Sequence, residues 1–140
     1  MAALFHALGL RDAAAPAGGR ARSRFTARFI PPAAVIDKPG YSAFFASPLQ
    51  SFLAKKEISS LIVSGSETDV CVLATVLDAV DHGYRAVVVE DGLCSSSDQG
   101  HDALMTLYRA RFTDQIELLG LEEVYRALAR GSMRSARVGP

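Results

Sequence analysis

The sequence predicts an α/β fold, a three-layer α/β/α sandwich with an open, mostly parallel sheet. Short apolar runs alternate along the chain with longer segments in which apolar residues recur at helical spacing. Most of the short runs are apolar at successive positions and do not alternate with polar residues, which is typical of parallel strands covered on both faces. Right-handed crossovers between such strands place helices on both sides of the sheet.

The predicted elements follow one another with short connections from residue 35 onwards. Val35-Ile36 is a short β-branched strand that ends in the turn sequence DKPG. Ser47 suits the N-cap of the next helix and Pro48 its first position. The later elements are a strand at 60–64, a helix at 70–82 closed by Gly83, a strand at 86–89, a helix at 98–111, a strand at 116–119 and a helix at 121–130.

Composition divides the chain into three parts. Residues 1–24 form an Ala- and Arg-rich segment, predicted to be poorly ordered or a short helix over its apolar start, 1–10. Residues 25–130 form the single folded domain. Residues 131–140 contain no acidic residue and no periodicity, so we expect a frayed tail.

Charge and cysteine content exclude several classes of function. Acidic and basic residues balance at 15 each, so no net field attracts nucleic acid or an anionic membrane. No apolar run approaches the length of about 20 residues that a membrane-spanning helix needs. The two cysteines do not make a disulfide framework, and we predict a cytoplasmic protein. Import into an organelle is the alternative that the basic, Ala-rich start leaves open.

The candidate functional residues follow the predicted strands, because ligands of such sheets bind beyond the carboxyl ends of the strands. Cys71 falls in the first turn of a helix, where backbone N–H groups and the helix dipole stabilise a thiolate and can face an oxyanion. Lys38 follows the preceding strand on the same rim and can hold a thiol as thiolate. The alternatives are a small packed cysteine and a solvated lysine.

Two segments resemble the isochorismatase-like cysteine hydrolases, which include nicotinamidases and N-carbamoylsarcosine amidohydrolases. VIDKPGYSAF at 35–44 resembles the lysine motif of the family, and residues 60–103 resemble its nucleophile segment, with G-x-x-T-D-x-C-V present in full. The resemblance implies Cys71 as nucleophile and Lys38 as its partner, acting on an amide or related bond of a small molecule without a cofactor. It also implies a cis peptide at Ser66-Glu67 and an oxyanion hole formed by the N–H groups of Glu67 and Cys71.

The sequence departs from the family pattern before the lysine motif. The family's general-base Asp follows its first strand in a D-x-Q-x-x-F motif, but Asp12 is the only acidic residue before Asp37 and lacks that setting. The metal-binding Asp and His residues of nicotinamidases are absent too, so we expect no metal. The chain therefore resembles a truncated or internally deleted member that lacks the first strand. Exposed sheet edges would then favour a homo-oligomer.

Two functional hypotheses remain beside each other: a working hydrolase, and a catalytically impaired derivative retained as a fold or interaction module. A nucleotide-binding domain ranks below both because no glycine-rich phosphate loop is present. Tyr41 and Phe44 are candidates for the pocket wall, with core packing as the equal alternative. Asp91 ends a strand and Ser95–Ser97 can cap the following helix, a role that we favour over substrate contact. We expect Cys94 to be a small packed residue and not a second nucleophile, and His101 to be a surface residue and not a base.

Overall fold

Four parallel strands form one sheet in the part of the chain that the computed structural model describes, residues 2–7 and 36–130. The strands lie in the order β1-β2-β3-β4, so neighbours in the sheet are also neighbours along the chain. Their bounds are β1 Ala2–Ala7, β2 Ser60–Gly65, β3 Arg85–Leu93 and β4 Ile116–Leu119. The predicted open, parallel sheet is confirmed.

Helices follow β2, β3 and β4 and one helix precedes β2, as the periodicity predicted. They are α1 Leu49–Lys55, α2 Leu73–Asp81, α3 Asp98–Arg111 and α4 Leu121–Ala129. A single π-helical turn, Thr68–Val72, leads directly into α2. Gly83 has a φ of +80° just after α2, a conformation that favours glycine and explains why the helix ends there.

The sheet is covered on both faces, which confirms the three layers. The larger core cluster unites one face with the first three helices, through Leu53 of α1, Val76 of α2 and Tyr108 of α3. On the other face, Ile62, Val87 and Val89 pack against Val124 of α4. Alternate residues of β2 and β3 therefore enter different cores, which explains why both strands are apolar at successive positions. No helix within the described ranges is long and apolar enough to cross a membrane.

The start of the chain differs from the predicted short helix. Residues 2–7 form β1, which pairs in parallel with β2 from Ala2 opposite Ser60 to Ala7 opposite Gly65. A strand therefore lies beside β2, although the sequence analysis expected the chain to lack a first strand. Its sequence, AALFHA, contains no acidic residue. The remainder of the predicted N-terminal segment, including Asp12, and the predicted frayed tail at 131–140 lie outside the described residues.

The strand predicted at Val35-Ile36, just before Lys38, is not formed in its described part, which begins at residue 36. Residues 36–38 have no regular secondary structure, and a series of bends follows at 39–44. Pro39 has no N–H for a strand ladder. The ammonium group of Lys38 instead donates to the carbonyl oxygens of Gly40 and Tyr41, each at 2.9 Å, which closes a compact turn. The strand prediction rested on only two β-branched residues, Val35 and Ile36, and the hydrogen bonds of Lys38 favour a turn instead.

Candidate active site

The loop between β2 and α2 holds the candidate nucleophile. The peptide bond between Ser66 and Glu67 is cis, as the family resemblance implied. The π-helical turn begins directly afterwards at Thr68 and contains Cys71. The side chain of Cys71 is a free thiol and is fully buried. The nucleophile candidate therefore lies at the start of a continuous helical segment, beyond the carboxyl end of a central strand.

The loop after β3 packs against this turn through Thr68. The backbone N–H and the hydroxyl of Thr68 both donate to the carbonyl oxygen of Cys94, at 3.1 and 3.0 Å. The N–H of Cys94 donates in return to the carbonyl oxygen of Gly65 at 3.1 Å. Nδ1 of His101 lies 2.9 Å from the Thr68 hydroxyl. Because that hydroxyl has one proton, which goes to Cys94, the geometry assigns the second bond to an Nδ1–H donor.

Two acidic side chains connect the same loops. The carboxylate of Glu67 accepts from the hydroxyl of Ser95 at 2.8 Å, and from the N–H and hydroxyl of Ser96 at 2.6 and 2.8 Å. These hydrogen bonds, above all the one from the Ser96 backbone, hold the pKa of Glu67 below its usual value of 4.5. The Ser95 hydroxyl also lies within hydrogen-bonding distance of the Asp69 carboxylate, so the two carboxylates share its single proton. The side chains of Thr68 and Asp69 thus bind the neighbouring loop and do not cap the helix that follows them.

The lysine loop, residues 38–47, contacts the nucleophile helix through Thr75. The N–H of Ala43 donates to the Thr75 hydroxyl at 3.0 Å, and that hydroxyl donates to the carbonyl oxygen of Cys71 at 2.7 Å. Lys38 is half-buried at the start of the loop, with its ammonium group bound to the carbonyl oxygens of Gly40 and Tyr41. Sequence reasoning missed Thr75. Its spacing of four residues from Cys71 was the available signal, because such residues lie on one face of a helix.

The two aromatic candidates of the lysine loop have different environments. Phe44 is 9% exposed and belongs to the larger core, with its ring tilted towards His82 and stacked on Tyr84 at ring-centroid distances of 5.0 and 5.8 Å. Core packing accounts for these contacts, and its place in a pocket wall stays a prediction. Tyr41 is 57% exposed and remains available to line a site entrance.

Asp91 and Ser97 have structural contacts. The Ser97 hydroxyl caps α3, as expected, by accepting from the N–H of Gly100 at 3.0 Å. The carboxylate of Asp91 accepts from the N–H of Leu121 at 2.8 Å, at the start of α4. The prediction that Cys94 is packed is wrong, because this residue is exposed. Within residues 36–130, no group of Cys, His, Asp and Glu side chains is arranged to hold a metal ion.

A cavity of about 360 Å³ lies away from this loop cluster, between the end of α3 and the outer strand β4. Tyr108, Arg109 and Thr113 line it on one side, and Ile116–Leu119 line it on the other. The cavity contains none of the residues that the sequence analysis selected. The candidate chemistry therefore rests on the loops after β2 and β3 and on the lysine loop.

The comparisons with known proteins agree on one family. The isochorismatase domain model matches residues 6–118. An uncharacterized isochorismatase family protein of Bacillus subtilis is 38% identical over 66 residues, which are 47% of this chain and 36% of that protein. The ureidoacrylate amidohydrolase of Cronobacter sakazakii is 42% identical over 62 residues, which are 44% of this chain and 27% of that enzyme.

The fold comparison agrees with the sequence comparison. The crystal structure of a nicotinamidase from Staphylococcus aureus superimposes with a TM-score of 0.57 at 32% sequence identity. The match covers 66% of this chain and 58% of the nicotinamidase. In each of these comparisons the chain spans less than two thirds of the other protein's length.

Proposed function

The chain belongs to the isochorismatase family, and from this premise we propose that it hydrolyses an amide or related bond of a small molecule through Cys71. The observation that carries the proposal is the position of this thiol. Cys71 is a fully buried free cysteine in the first helical turn after β2. A helix start of this kind stabilises a thiolate through unpaired N–H groups and the helix dipole.

The reaction needs one nucleophile and a site for developing negative charge. The Cys71 thiolate attacks the carbonyl carbon, a C–S bond forms, and the carbonyl oxygen takes the negative charge. The backbone N–H groups of Glu67 and Cys71 are the proposed donors to this oxygen. The carbonyl then re-forms, the C–N bond breaks, and the amine leaves with the proton that the thiol gave up to solvent. Water attacks the resulting thioester, the C–S bond breaks, and a proton of that water restores the thiol as the acid product leaves.

Lys38 is the proposed charge partner of Cys71. A cationic side chain near a thiol favours the thiolate, and the lysine loop is attached to the Cys71 helix through Ala43 and Thr75. The ammonium group has two carbonyl partners within its own loop. These hold the cation at a fixed place without neutralising it, because a carbonyl oxygen carries no formal charge.

A catalytically impaired family member is the second candidate. The family's acidic base motif is absent from the sequence. The acidic side chains beside the nucleophile turn, Glu67 and Asp69, are engaged by Ser95 and Ser96 in the neighbouring loop. General-base assistance is typically worth about 10²- to 10⁴-fold in rate. The second candidate therefore predicts a thiol that reacts once with electrophiles but turns over amides very slowly.

Two measurements on the purified chain separate the candidates. The first is release of ammonia from nicotinamide and small linear amides, and the second is covalent labelling of Cys71 by an electrophilic amide analogue, located by mass spectrometry. Cys71→Ala is the inactive variant and Cys94→Ala is its matched control, since Cys94 is the other free thiol and is exposed.

The outcomes are distinct. Turnover that Cys71→Ala abolishes and Cys94→Ala retains supports the hydrolase. Labelling of Cys71 without turnover supports the impaired member. Turnover that survives Cys71→Ala contradicts the proposed nucleophile, and failure of both turnover and Cys71 labelling contradicts both candidates.

A further inference from the structure

We propose that Thr75 is a positioning residue that couples the lysine loop to the nucleophile helix. The inference rests on the proposed function, because it assigns to the Thr75 hydroxyl the task of holding Lys38 where its charge acts on Cys71. Thr75 does not touch substrate in this account; it acts through the two elements that it joins.

The Thr75 hydroxyl makes one donated and one accepted hydrogen bond at the same time. The side chain is fully buried in α2. Its hydroxyl donates to the carbonyl oxygen of Cys71 at 2.7 Å, one helical turn earlier, and accepts from the N–H of Ala43 at 3.0 Å. A hydroxyl has one donor and two acceptor sites, so both bonds exist at once. A single side chain thus joins the backbone of the nucleophile turn to the backbone of the lysine loop.

The lysine loop can transmit this restraint because its own ends are tied. The Lys38 ammonium group donates to the carbonyl oxygens of Gly40 and Tyr41. The Ser42 hydroxyl accepts from the N–H of Phe44 at 3.1 Å. Ala43 is 1% exposed, so its N–H is shielded from bulk water and Thr75 supplies the partner that such a buried N–H needs. The Thr75 bond therefore contributes to the position of the loop, together with the core packing of Ala43 and Phe44.

A purely structural role is the competing explanation. In that case the Thr75 hydroxyl only satisfies a buried N–H, and its loss lowers stability without changing the chemistry of Cys71. The two explanations differ in one measurable quantity, which is the pH dependence of the reaction of Cys71 with iodoacetamide. The midpoint of that profile reports ionisation of the thiol. A change in access of the reagent multiplies the rate by the same factor at every pH and leaves the midpoint unchanged.

The experiment uses the full chain with Cys94→Ala as background, so that Cys71 is the remaining thiol. The variants are Thr75→Val, which keeps the shape but removes the hydroxyl, Thr75→Ser, which keeps the hydroxyl, Lys38→Met, and the Lys38→Met/Thr75→Val double variant. Thr106→Val is the matched control, because the Thr106 hydroxyl makes the same backward bond to Asp102 at 2.9 Å, on the exposed side of α3. Thr75→Ala replaces Thr75→Val if the latter does not fold.

We expect Lys38→Met to raise the midpoint by about one to three pH units, as loss of a nearby opposite charge does. Thr75→Val should raise it in the same direction, with about a tenfold lower rate for each unit at pH values below both midpoints. Thr75→Ser should restore the original profile, Thr106→Val should leave it unchanged, and the double variant should not exceed Lys38→Met.

The outcomes that overturn the inference are separable from failure of the proposed function. If Lys38→Met shifts the midpoint but Thr75→Val only lowers the melting temperature, Thr75 is structural and the role of Lys38 stands. Additive shifts in the double variant also overturn the coupling. If Lys38→Met itself has no effect, Lys38 is not the charge partner, and both the proposed function of Lys38 and the role of Thr75 are overturned.

Discussion

The carboxylate of Glu67 accepts two hydrogen bonds from Ser96, one from its backbone N–H at 2.6 Å and one from its hydroxyl at 2.8 Å. This pair joins the loop after β2 to the loop after β3, directly beside the candidate nucleophile turn. A third bond from Ser95 completes the set. The attachment requires an ionised carboxylate, because a protonated carboxyl group accepts less strongly and would compete as a donor.

Glu67→Gln should therefore change the pH dependence of stability. The pKa of Glu67 is below 4.5 in the folded chain, so ionisation contributes its full stability above pH 4.5 and loses it as the pH falls through the lower folded value. We expect the variant to be less stable than the parent at pH 7, with a difference that narrows at lower pH. Urea unfolding at pH 7, 4 and 3 measures this. Glu57→Gln, at an exposed position, is the control, and a pH-independent difference would contradict the account.

Gly100→Ala should destabilise the chain although alanine favours helices by about 1 kcal/mol over glycine. A Cβ at Gly100 would overlap the carboxylate of Asp69. The Asp69 carboxylate would have to move, which would break its contact with Ser95 in the loop after β3. We expect a lower melting temperature together with slower labelling of Cys71. Asp69→Ala in the Gly100→Ala background should recover part of the stability, and an increase in stability for Gly100→Ala alone would refute the close contact.

Ser97→Ala should remove the N-cap of α3. The Ser97 hydroxyl accepts from the N–H of Gly100, and loss of such a cap typically costs about 1 kcal/mol of stability. Ser97→Gly should cost only a few tenths of that amount, because glycine is tolerated at the N-cap. Denaturant unfolding of both variants checks the order. An unchanged stability in Ser97→Ala would indicate that the hydroxyl is not the capping group.

Tyr108→Phe should leave stability unchanged or raise it. Tyr108 is 1% exposed, and its hydroxyl has no hydrogen-bond partner among the described residues. The pKa of the phenol is raised by burial. An unpaired buried polar group typically costs about 1 to 3 kcal/mol, which the phenylalanine would not incur. Tyr125→Phe, at a side chain that is 64% exposed, should change stability by less than about 0.5 kcal/mol. A clear loss in Tyr108→Phe would show that the hydroxyl is bonded in solution.

The sequence predicted the later half of the fold closely. The bounds of α3 and β4 agree with the predicted 98–111 and 116–119. Both elements have strong local signals, namely a long helical period with an N-cap serine and an apolar run between polar turns. The strand predicted at Val35-Ile36 failed in its described part, because its signal was short and the adjoining turn is stabilised by Lys38.

The site was predictable where a residue's role depends on its own segment. Cys71 lies after a strand and in a first helical turn, and both features are local. The partners of Thr68 and Glu67 lie in the loop after β3, and only the fold determines that they meet. The loop-to-loop contacts of Thr68 and Glu67 were therefore not predictable from their own segment. The cis peptide at Ser66-Glu67 came from the family resemblance and not from local propensity.

The position of β1 has a consequence for the order in which the molecule assembles. Ala2 pairs with Ser60, far along the chain, whereas Ser60 and Ala86 pair with the nearer residues Arg85 and Ile116. Closing a longer loop costs more entropy and delays the contacts that it brings together. We therefore expect β2, β3 and β4 to associate first and β1 to join a preformed edge. Pulsed hydrogen exchange during refolding should protect the amides of the three later strands before those of β1.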